Sequence, residues 1–310
     1  MKPTVVVLLS DKRSGSTMFQ RALSKHPAIQ TVDYSPHTYL ETHHWLKAAV
    51  LLGKSPLTFL GGKVYSGYGS RKNAKTYMID GIKGNIDGFM LPKTDLDLVM
   101  EGWEILCKKF ARPVFFEKSP QIIANWSALS LLLEWIKQTS FDVKIIGLVR
   151  NPMAVQYSAF QLFHTDPKDR QFGWLEIHKN LLAFKNLLPP ESFYLLKYED
   201  IVFKPKPTFE KICEFIGLEA HKDVGSKVHA KSLSKWEKDP FFRLQLDESV
   251  KQIASHFGYE EKDFYNPIKP LPPWHLRVKR TFDNKLTKAK ANLINRIIKP
   301  ILLRINNKNI

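Results

Sequence analysis

Cysteine is scarce in this 310-residue sequence, which contains only Cys107 and Cys213. Two cysteines exclude a disulfide framework and a four-cysteine zinc site, and they favour a reducing compartment. We expect both to be small buried apolar residues. The sequence also has no uncharged apolar run close to the roughly 20 residues that a membrane span requires. Because no apolar leader precedes the first predicted strand, the expected localisation is cytoplasmic.

Acidic residues are few relative to basic ones: 30 Asp and Glu stand against 47 Lys and Arg, for a formal net charge of +17. The imbalance is concentrated in residues 271–310, which hold ten Lys and Arg and a single acidic residue, Asp283. Such a charge suits a nucleotide, a polyanionic glycan, nucleic acid or an acidic membrane without choosing among them. We expect one domain over residues 1–270 and a basic helical tail over 271–310.

Short apolar strands alternate with helices along the chain. Strands are predicted at 4–9, 28–32, 114–117, 143–149 and 193–197, and helices at 16–25, 39–52, 122–138, 152–164 and 208–216. This alternation predicts an α/β fold with a central, mostly parallel sheet and helices on both faces. Ligands of such sheets bind beyond the carboxyl ends of the strands.

Residues 53–95 differ from the rest because glycine interrupts every hydrophobic period, with Lys and Tyr recurring between the glycines. The pattern favours a loop-rich insertion that shapes an acceptor-binding surface. A pair of antiparallel strands is the alternative.

The turn Arg13-Ser14-Gly15-Ser16-Thr17 follows the first strand and leads into a helix. Backbone N–H groups at a helix start, the positive end of the helix dipole and nearby hydroxyls together suit a phosphate or phosphosulfate. Ser and Gly also cap helices for structural reasons alone, which leaves a simple cap as the alternative.

A second candidate anion site begins where the strand at 143–149 ends. Arg150-Asn151-Pro152 opens the next helix, and Ser158 lies two helical turns along it. An arginine fork and a hydroxyl make a charge-assisted phosphate site. A strand-end salt bridge beside an ordinary helix serine is the alternative.

Together these motifs resemble the two nucleotide loops of the sulfotransferases that use 3′-phosphoadenylyl sulfate (PAPS). The segments Lys197-Tyr198-Glu199-Asp200, Phe209 to Gly217 and Ser234-Lys235-Trp236 are similar to later elements of that family. Glu117-Lys118-Ser119-Pro120 and Leu40-Glu41-Thr42-His43-His44-Trp45 are similar to motifs of its glycan-modifying members, which include the heparan sulfate enzymes. The resemblance implies the P-loop-like sulfotransferase fold and a carbohydrate or glycolipid acceptor.

The resemblance also implies a role for each motif residue. Glu41 would be the general base, with His43 orienting it or contacting the acceptor. Lys118 and Arg13 would stabilise the transferring group, so that no metal is needed. The nucleotide would be held by Arg13, Ser14, Gly15, Ser16, Thr17, Arg150, Ser158 and Lys235.

Several assignments stay open at this stage. Glu41 alone is also consistent with a solvated charge on an amphipathic helix, and Asp33 and His37 are substitute bases. His43 and His44 are expected on one helix face rather than as metal ligands. The family often has Lys at the position of Arg13 and at that of Leu40, and the second departure leaves the acceptor contacts undefined.

Two other function classes compete with sulfuryl transfer. A P-loop kinase or NTPase needs G-x-x-x-x-G-K-[ST], but Ser16 stands where the Lys would be. A non-catalytic basic protein would bind membrane or nucleic acid through the tail, although no motif for reading RNA or DNA is present, so we expect no nucleic-acid partner. The tail pattern predicts a basic amphipathic helix at 281–299 that either contacts an anionic membrane peripherally or packs on the body.

Overall fold

The computed structural model describes residues 2–37, 39–54, 58–60, 63–65, 70–163, 165–226, 228, 233–267, 269–270 and 272–293. The strands are β1 (Thr4–Ser10), β2 (Ile29–Gln30), β3 (Thr58–Leu60), β4 (Lys63–Tyr65), β5 (Val114–Lys118), β6 (Asp142–Val149) and β7 (Phe193–Lys197). The α-helices are α1 (Ser16–Leu23), α2 (His44–Leu51), α3 (Arg71–Lys83), α4 (Asp95–Phe110), α5 (Trp126–Gln138), α6 (Pro152–Phe163), α7 (Pro167–Lys185), α8 (Tyr198–Phe203), α9 (Pro205–Phe215), α10 (Lys235–Lys238), α11 (Glu248–Ser255) and α12 (Trp274–Leu293).

Five strands form a central parallel sheet in the order β2-β5-β1-β6-β7. β1 lies in the middle and is buried along its whole length, as its uniformly apolar sequence predicts. Because all five strands run the same way, the turns after β1, β5, β6 and β7 meet at one edge of the sheet. The predicted α/β fold with a largely parallel sheet is confirmed.

Alternate residues of β1 enter two separate hydrophobic cores, one on each face of the sheet. Val7 packs into a core with Trp103 of α4, while Leu8 packs into another with Phe19 of α1 and Phe209 of α9. The rings of Phe19 and Phe209 stack at 5.7 Å. Helices therefore cover both faces, and burying each of these large side chains contributes roughly 1.5–3 kcal/mol.

The predicted helix at 39–52 is wrong at its start, because α2 begins only at His44. Leu40 and His43 adopt left-handed backbone conformations, with φ of 54° and 49°. A right-handed helix therefore cannot extend toward the N-terminus beyond His44. The Glu41 carbonyl instead accepts hydrogen bonds from the Ser35 hydroxyl at 2.5 Å and the Tyr77 hydroxyl at 3.2 Å. Glu41 consequently lies in a loop, not on a helix face.

The expected loop-rich insertion at 53–95 is also corrected. It contains the 13-residue helix α3, whose first turn is capped by the Ser70 hydroxyl, and Gly81 lies inside that helix. A Cβ at Gly81 would meet only Pro36 at 3.6 Å, so the glycine is compatible with regular helix. The alternative of antiparallel strands is realised in β3 and β4, while 55–57, 61–62 and 66–69 lie outside the described residues.

Other boundaries differ from the sequence prediction in smaller ways. The predicted helix at 122–138 starts as a 3-10 turn, and α5 itself begins after Asn125, whose side chain caps it. The helices α4, α7 and α11 occupy stretches for which no element is predicted. β2 has two residues, not five. Cys107 and Cys213 are both buried and free, as expected.

The tail helix α12 begins at Trp274, seven positions before the predicted start, and the predicted end at Lys299 lies outside the described residues. Among the described helices, none combines the length and apolarity needed to cross a lipid bilayer. The division into a domain over 1–270 and a tail over 271–310 stays a prediction.

Candidate active site

The turn between β1 and α1 is a tight backbone loop with two left-handed residues, Arg13 at φ 75° and Gly15 at φ 93°. The Ser14 N–H donates to the Asp11 carbonyl at 3.2 Å and closes the turn. A Cβ at Gly15 would lie 2.4 Å from the ring of Tyr198, the residue that follows β7. The position therefore requires glycine for both its backbone angle and its neighbour.

The two anion motifs predicted from the sequence meet at this edge of the sheet, because β1 and β6 are adjacent strands. Arg13 Nε donates to the Ser158 hydroxyl at 3.0 Å, and Arg150 Nη1 donates to the Arg13 carbonyl at 2.9 Å. The Arg150 guanidinium lies 4.3 Å from the centre of the Tyr198 ring. Residues 145 and 137 positions apart in sequence are thus directly bonded.

A cavity of about 650 Å³ opens between these motifs. It is lined by Arg13, Gly15, Ser16, Thr17, Met18, Arg150, Ala154, Tyr157, Ser158, Gln161, Leu162, Tyr198, Lys235 and Trp236. The buried Ser14 hydroxyl has no hydrogen-bond partner among the described residues. A start of helix, an orphaned hydroxyl and two arginines fit a ligand with phosphate groups at two positions.

A second group of polar side chains surrounds Glu41, which is almost fully buried. Lys118 Nζ donates to Glu41 Oε1 at 2.6 Å, and His43 Nε2 lies 2.9 Å from Glu41 Oε2. His37 Nδ1 is 3.5 Å from the same oxygen. Lys118 ends β5 and pairs with Leu8 of β1, which places it at the same sheet edge as the cavity.

Burial by itself would raise the pKa of Glu41, but hydrogen bonds from His43 and Lys118 outweigh it and lower the pKa to about 2. Glu41 is therefore ionised at neutral pH. Burial lowers the pKa of His37 below its ordinary value, which keeps that imidazole neutral at pH 7.

Lys118 connects the two groups of residues. Its side chain is wholly buried, and Nζ lies 3.4 Å from the Thr17 hydroxyl as well as 2.6 Å from Glu41. An anion held at the start of α1 would therefore lie within reach of the ammonium group that holds Glu41.

Glu117 stabilises the loop that carries Glu41 through buried hydrogen bonds. Its carboxyl accepts a hydrogen bond from the Thr42 hydroxyl at 2.9 Å and a very short one from the Ser119 hydroxyl. Ser119 in turn accepts the N–H of His43 at 3.0 Å. Burial raises the pKa of Glu117 to about 7, against the opposing effect of these hydrogen bonds.

Of the two substitute bases, His37 lies beside Glu41 and Asp33 lies outside this cluster, as does His44. The Asp33 carboxylate is exposed at the surface, 3.4 Å from Lys109. His44 is buried with its Nε2 2.8 Å from the Val99 carbonyl, and burial lowers its pKa to about 4. The expected helix-face pair of His43 and His44 is wrong, because His43 precedes α2 and faces the site while His44 enters the core.

Sequence reasoning did not select Glu117, Tyr198 or Trp236 as site residues. Tyr198 follows directly on β7 and Glu117 precedes Lys118, so position at a strand end was the available signal. Trp236 lies beside Lys235, which was selected and lines the same cavity.

The side chains of His37, Glu41 and His43 could hold a metal ion, since their ligand atoms lie within 4.8 Å of one another. The expectation that His43 is not a metal ligand is therefore not supported by the geometry, since Glu41 and His37 offer ligand atoms beside it. Lys118 already occupies one Glu41 oxygen, so a metal ion would have to bind beside an ammonium group. That no metal is required stays a prediction.

Comparison with known proteins gives a family and a fold. The model of the Sulfotransferase family matches residues 4–223 of this chain. Among solved structures, the sulfotransferase domain of the Synechococcus PCC 7002 olefin synthase is 19% identical, with 83% of this chain and 95% of that chain covered at a TM-score of 0.56. The sulfotransferase domain from the curacin biosynthetic pathway is 21% identical, with 83% and 98% covered at a TM-score of 0.54. No curated protein was found to match.

Proposed function

Because the chain belongs to the sulfotransferase family, we propose that it transfers the sulfuryl group of PAPS to a hydroxyl of a carbohydrate or glycolipid acceptor. The observation that carries the proposal is the bonded arrangement of Arg13, Ser158 and Arg150 around one cavity, with Lys118 leading from it to Glu41. A kinase of the P-loop type is disfavoured by the same family membership.

In this proposal the backbone of Ser14 to Thr17 holds the 5′-phosphosulfate, since helix-start N–H groups bind anions of this kind. Arg150 and Ser158 hold the 3′-phosphate, with Lys235 adding positive charge at the wall of the cavity. Trp236, in the wall of the cavity, offers an aromatic surface to the adenine ring of PAPS. PAPS supplies an activated sulfuryl group and a stable phosphate leaving group.

Glu41 accepts the proton of the acceptor hydroxyl. Lys118 and His43 hold the carboxylate ionised and fixed in position before the reaction. A carboxyl group whose pKa is about 2 is a weak base while Lys118 stays bound to it. A phosphosulfate beside Thr17 would share the Lys118 ammonium, and the weaker hold of Lys118 on Glu41 would raise the basicity of the carboxylate.

Lys118 and Arg13 then take the role that a metal ion plays in other group transfers. Arg13 directly precedes α1, and Lys118 Nζ lies 3.4 Å from Thr17 in its first turn. Negative charge develops there on the transferring group and the leaving oxygen. His43 stays hydrogen-bonded to Glu41 Oε2 and keeps Oε1 directed toward Lys118.

A glycan acceptor is supported by the Glu117-Lys118-Ser119-Pro120 and Leu40 to Trp45 motifs, which are similar to those of glycan sulfotransferases. The two structural relatives carry the names of an olefin synthase and the curacin pathway, so hydroxyl compounds other than carbohydrates are the acceptors to compare with glycans.

The proposal is tested in two steps. Calorimetry measures binding of PAPS and of Mg-ATP, and labelled PAPS is then used to assay sulfate transfer to glycans, glycolipids and hydroxyacyl compounds. We expect binding of PAPS alone and transfer to a sugar hydroxyl. A protein that does not bind PAPS would refute the reaction, and transfer restricted to hydroxyacyl compounds would refute only the acceptor class.

A further inference from the structure

The tail helix α12 carries a row of apolar side chains on its surface. Trp274, Val278, Phe282 and Leu286 follow one another at intervals of four residues, with 71%, 60%, 67% and 45% of each side chain exposed. At about 100° per residue, successive members shift by roughly 40°, so the four form one continuous stripe along the helix.

Arg280 fixes which way that stripe faces. It is the one side chain of α12, among those the structure describes, that is not exposed. Both terminal nitrogens donate to the Asp239 carboxylate at 3.0 Å, and the guanidinium lies 4.4 Å from the centre of the Phe241 ring. Arg280 lies about 180° around the helix from the middle of the stripe, so the apolar stripe points away from the body.

Positive charge surrounds the stripe. The helix has six Lys and Arg and one acidic residue, Asp283. Arg277, Lys279 and Lys285 are all exposed in the part of α12 where side chains are described. A basic helix with an outward apolar stripe is the pattern of helices that lie in the interface of an anionic membrane.

We propose that α12 docks this protein on an anionic lipid bilayer, with the helix parallel to the surface. Trp274 and Phe282 would lie at the depth of the headgroups, where amphipathic and aromatic rings are favoured, and the basic side chains would contact acidic lipids. The proposal is independent of the proposed reaction.

The docked helix is also connected to the wall of the cavity. Asp239, which holds Arg280, accepts hydrogen bonds from Tyr157 and Gln161 at 3.1 Å each. Tyr157 and Gln161 both line the cavity, so the Asp239 carboxylate joins α12 to the cavity wall.

The test uses the full chain and vesicles of phosphatidylcholine with or without phosphatidylserine, in a co-sedimentation assay. We expect binding to the anionic vesicles that weakens as salt rises, because surface charges are screened. Replacing two stripe residues together, Val278→Glu and Phe282→Glu, should weaken that binding by about tenfold or more.

Phe203→Glu is the matched control, because Phe203 is as exposed as Phe282, at 68%, and lies on α8. Thermal unfolding of each variant, followed by circular dichroism, shows that the body is folded. Absence of binding to anionic vesicles, or equal loss in the Phe203 variant, would overturn the proposal. So would a concentration-dependent dimer that the stripe substitutions abolish in a protein that ignores vesicles, since the stripe would then cover a second copy.

Discussion

The proposed nucleotide site, formed by residues 13–17, Arg150 and Ser158 and called the cradle below, lies on one side of Lys118, and the loop that carries Glu41 lies on the other. The chain builds the two regions differently. The cradle consists of strand ends and helix starts, where β1 leads into α1 and β6 leads into α6. The loop at 31–43 has no helix or strand among its described residues, 31–37 and 39–43, and it is held by side chains, such as the Tyr77 hydroxyl on the Glu41 carbonyl.

The two regions should respond differently to a single substitution. In the cradle, the register of β1 and β6 fixes the backbone, so removing one side chain should lower affinity and leave the geometry in place. In the loop, a few hydrogen bonds hold the carboxylate of Glu41, which we propose as the base. Substitutions there should lower turnover at unchanged nucleotide affinity.

The largest effect is expected at Glu41. The change Glu41→Gln keeps the shape of the side chain and removes the base, so turnover should fall by about 10²–10⁴. The dissociation constant for the nucleotide product, measured by calorimetry, should change little because Glu41 does not line the cavity.

Asp33→Asn provides the control, since Asp33 is an exposed carboxylate on the same loop. It should keep full turnover. Activity retained in Glu41→Gln but lost in Asp33→Asn would move the base to Asp33 and reverse the comparison.

A smaller effect is expected from Arg150→Ala in the cradle. A charge-assisted hydrogen bond is worth about 1.5–3 kcal/mol, so nucleotide affinity should fall by about 10–100-fold. Turnover at saturating PAPS should fall much less. Arg21→Ala, on the exposed side of α1, should change neither quantity. An Arg150→Ala variant with normal nucleotide affinity and slow turnover would contradict the assignment of affinity to the cradle and of turnover to the Glu41 loop.

The same contrast explains what the sequence could predict. The sequence could identify residues 13–17 and Arg150 because they directly follow buried apolar strands, and Ser158 because it lies in the helix after such a strand. Parallel strands end at one edge of the sheet, so these residues are expected to lie close together. Their pairwise bonds were not predictable. Which hydroxyl meets which arginine depends on side-chain positions that only the packed structure defines.

The Glu41 loop could not be predicted from local pattern. A left-handed backbone at Leu40 and His43 is unfavourable for these residue types, and distant partners stabilise it. Tyr77 lies 36 positions from Glu41, and Ser119 lies 76 positions from His43. Aromatic and apolar residues at 39–52 therefore suggested a longer helix than the one that forms.

The next prediction compares two glycines with positive φ. Gly15→Ala would place a Cβ 2.4 Å from the Tyr198 ring, whereas Gly88→Ala, at φ 68°, would meet no atom within 4 Å. Both substitutions carry a backbone cost of about 1 kcal/mol. Only Gly15→Ala should also shift the ring and the turn, and weaken nucleotide binding by about tenfold.

Thermal unfolding and calorimetry of both variants separate the two causes. Equal loss of nucleotide affinity in the two variants would mean that the strain of the backbone, and not the Tyr198 contact, governs the cradle.

The smallest effect on turnover is expected for Glu117→Gln, which should lower it only a few fold, since the amide can still accept hydrogen bonds from Thr42 and Ser119. Its diagnostic effect is on stability as pH changes. Burial raises the pKa of Glu117 from 4.5 to about 7, so the folded protein loses stability as pH rises through that interval. Glu41 acts with the opposite sign: its pKa of about 2 adds stability between pH 2 and 4.5.

Urea unfolding at pH 4.5 and pH 7.5 tests this difference in Glu117→Gln and in the exposed control Glu101→Gln. Glutamine does not titrate, so Glu117→Gln should gain on the order of 1–3 kcal/mol relative to wild type between the two pH values. The control should gain nothing. If the Glu117→Gln difference is the same at both pH values, burial does not hold Glu117 protonated in the folded protein.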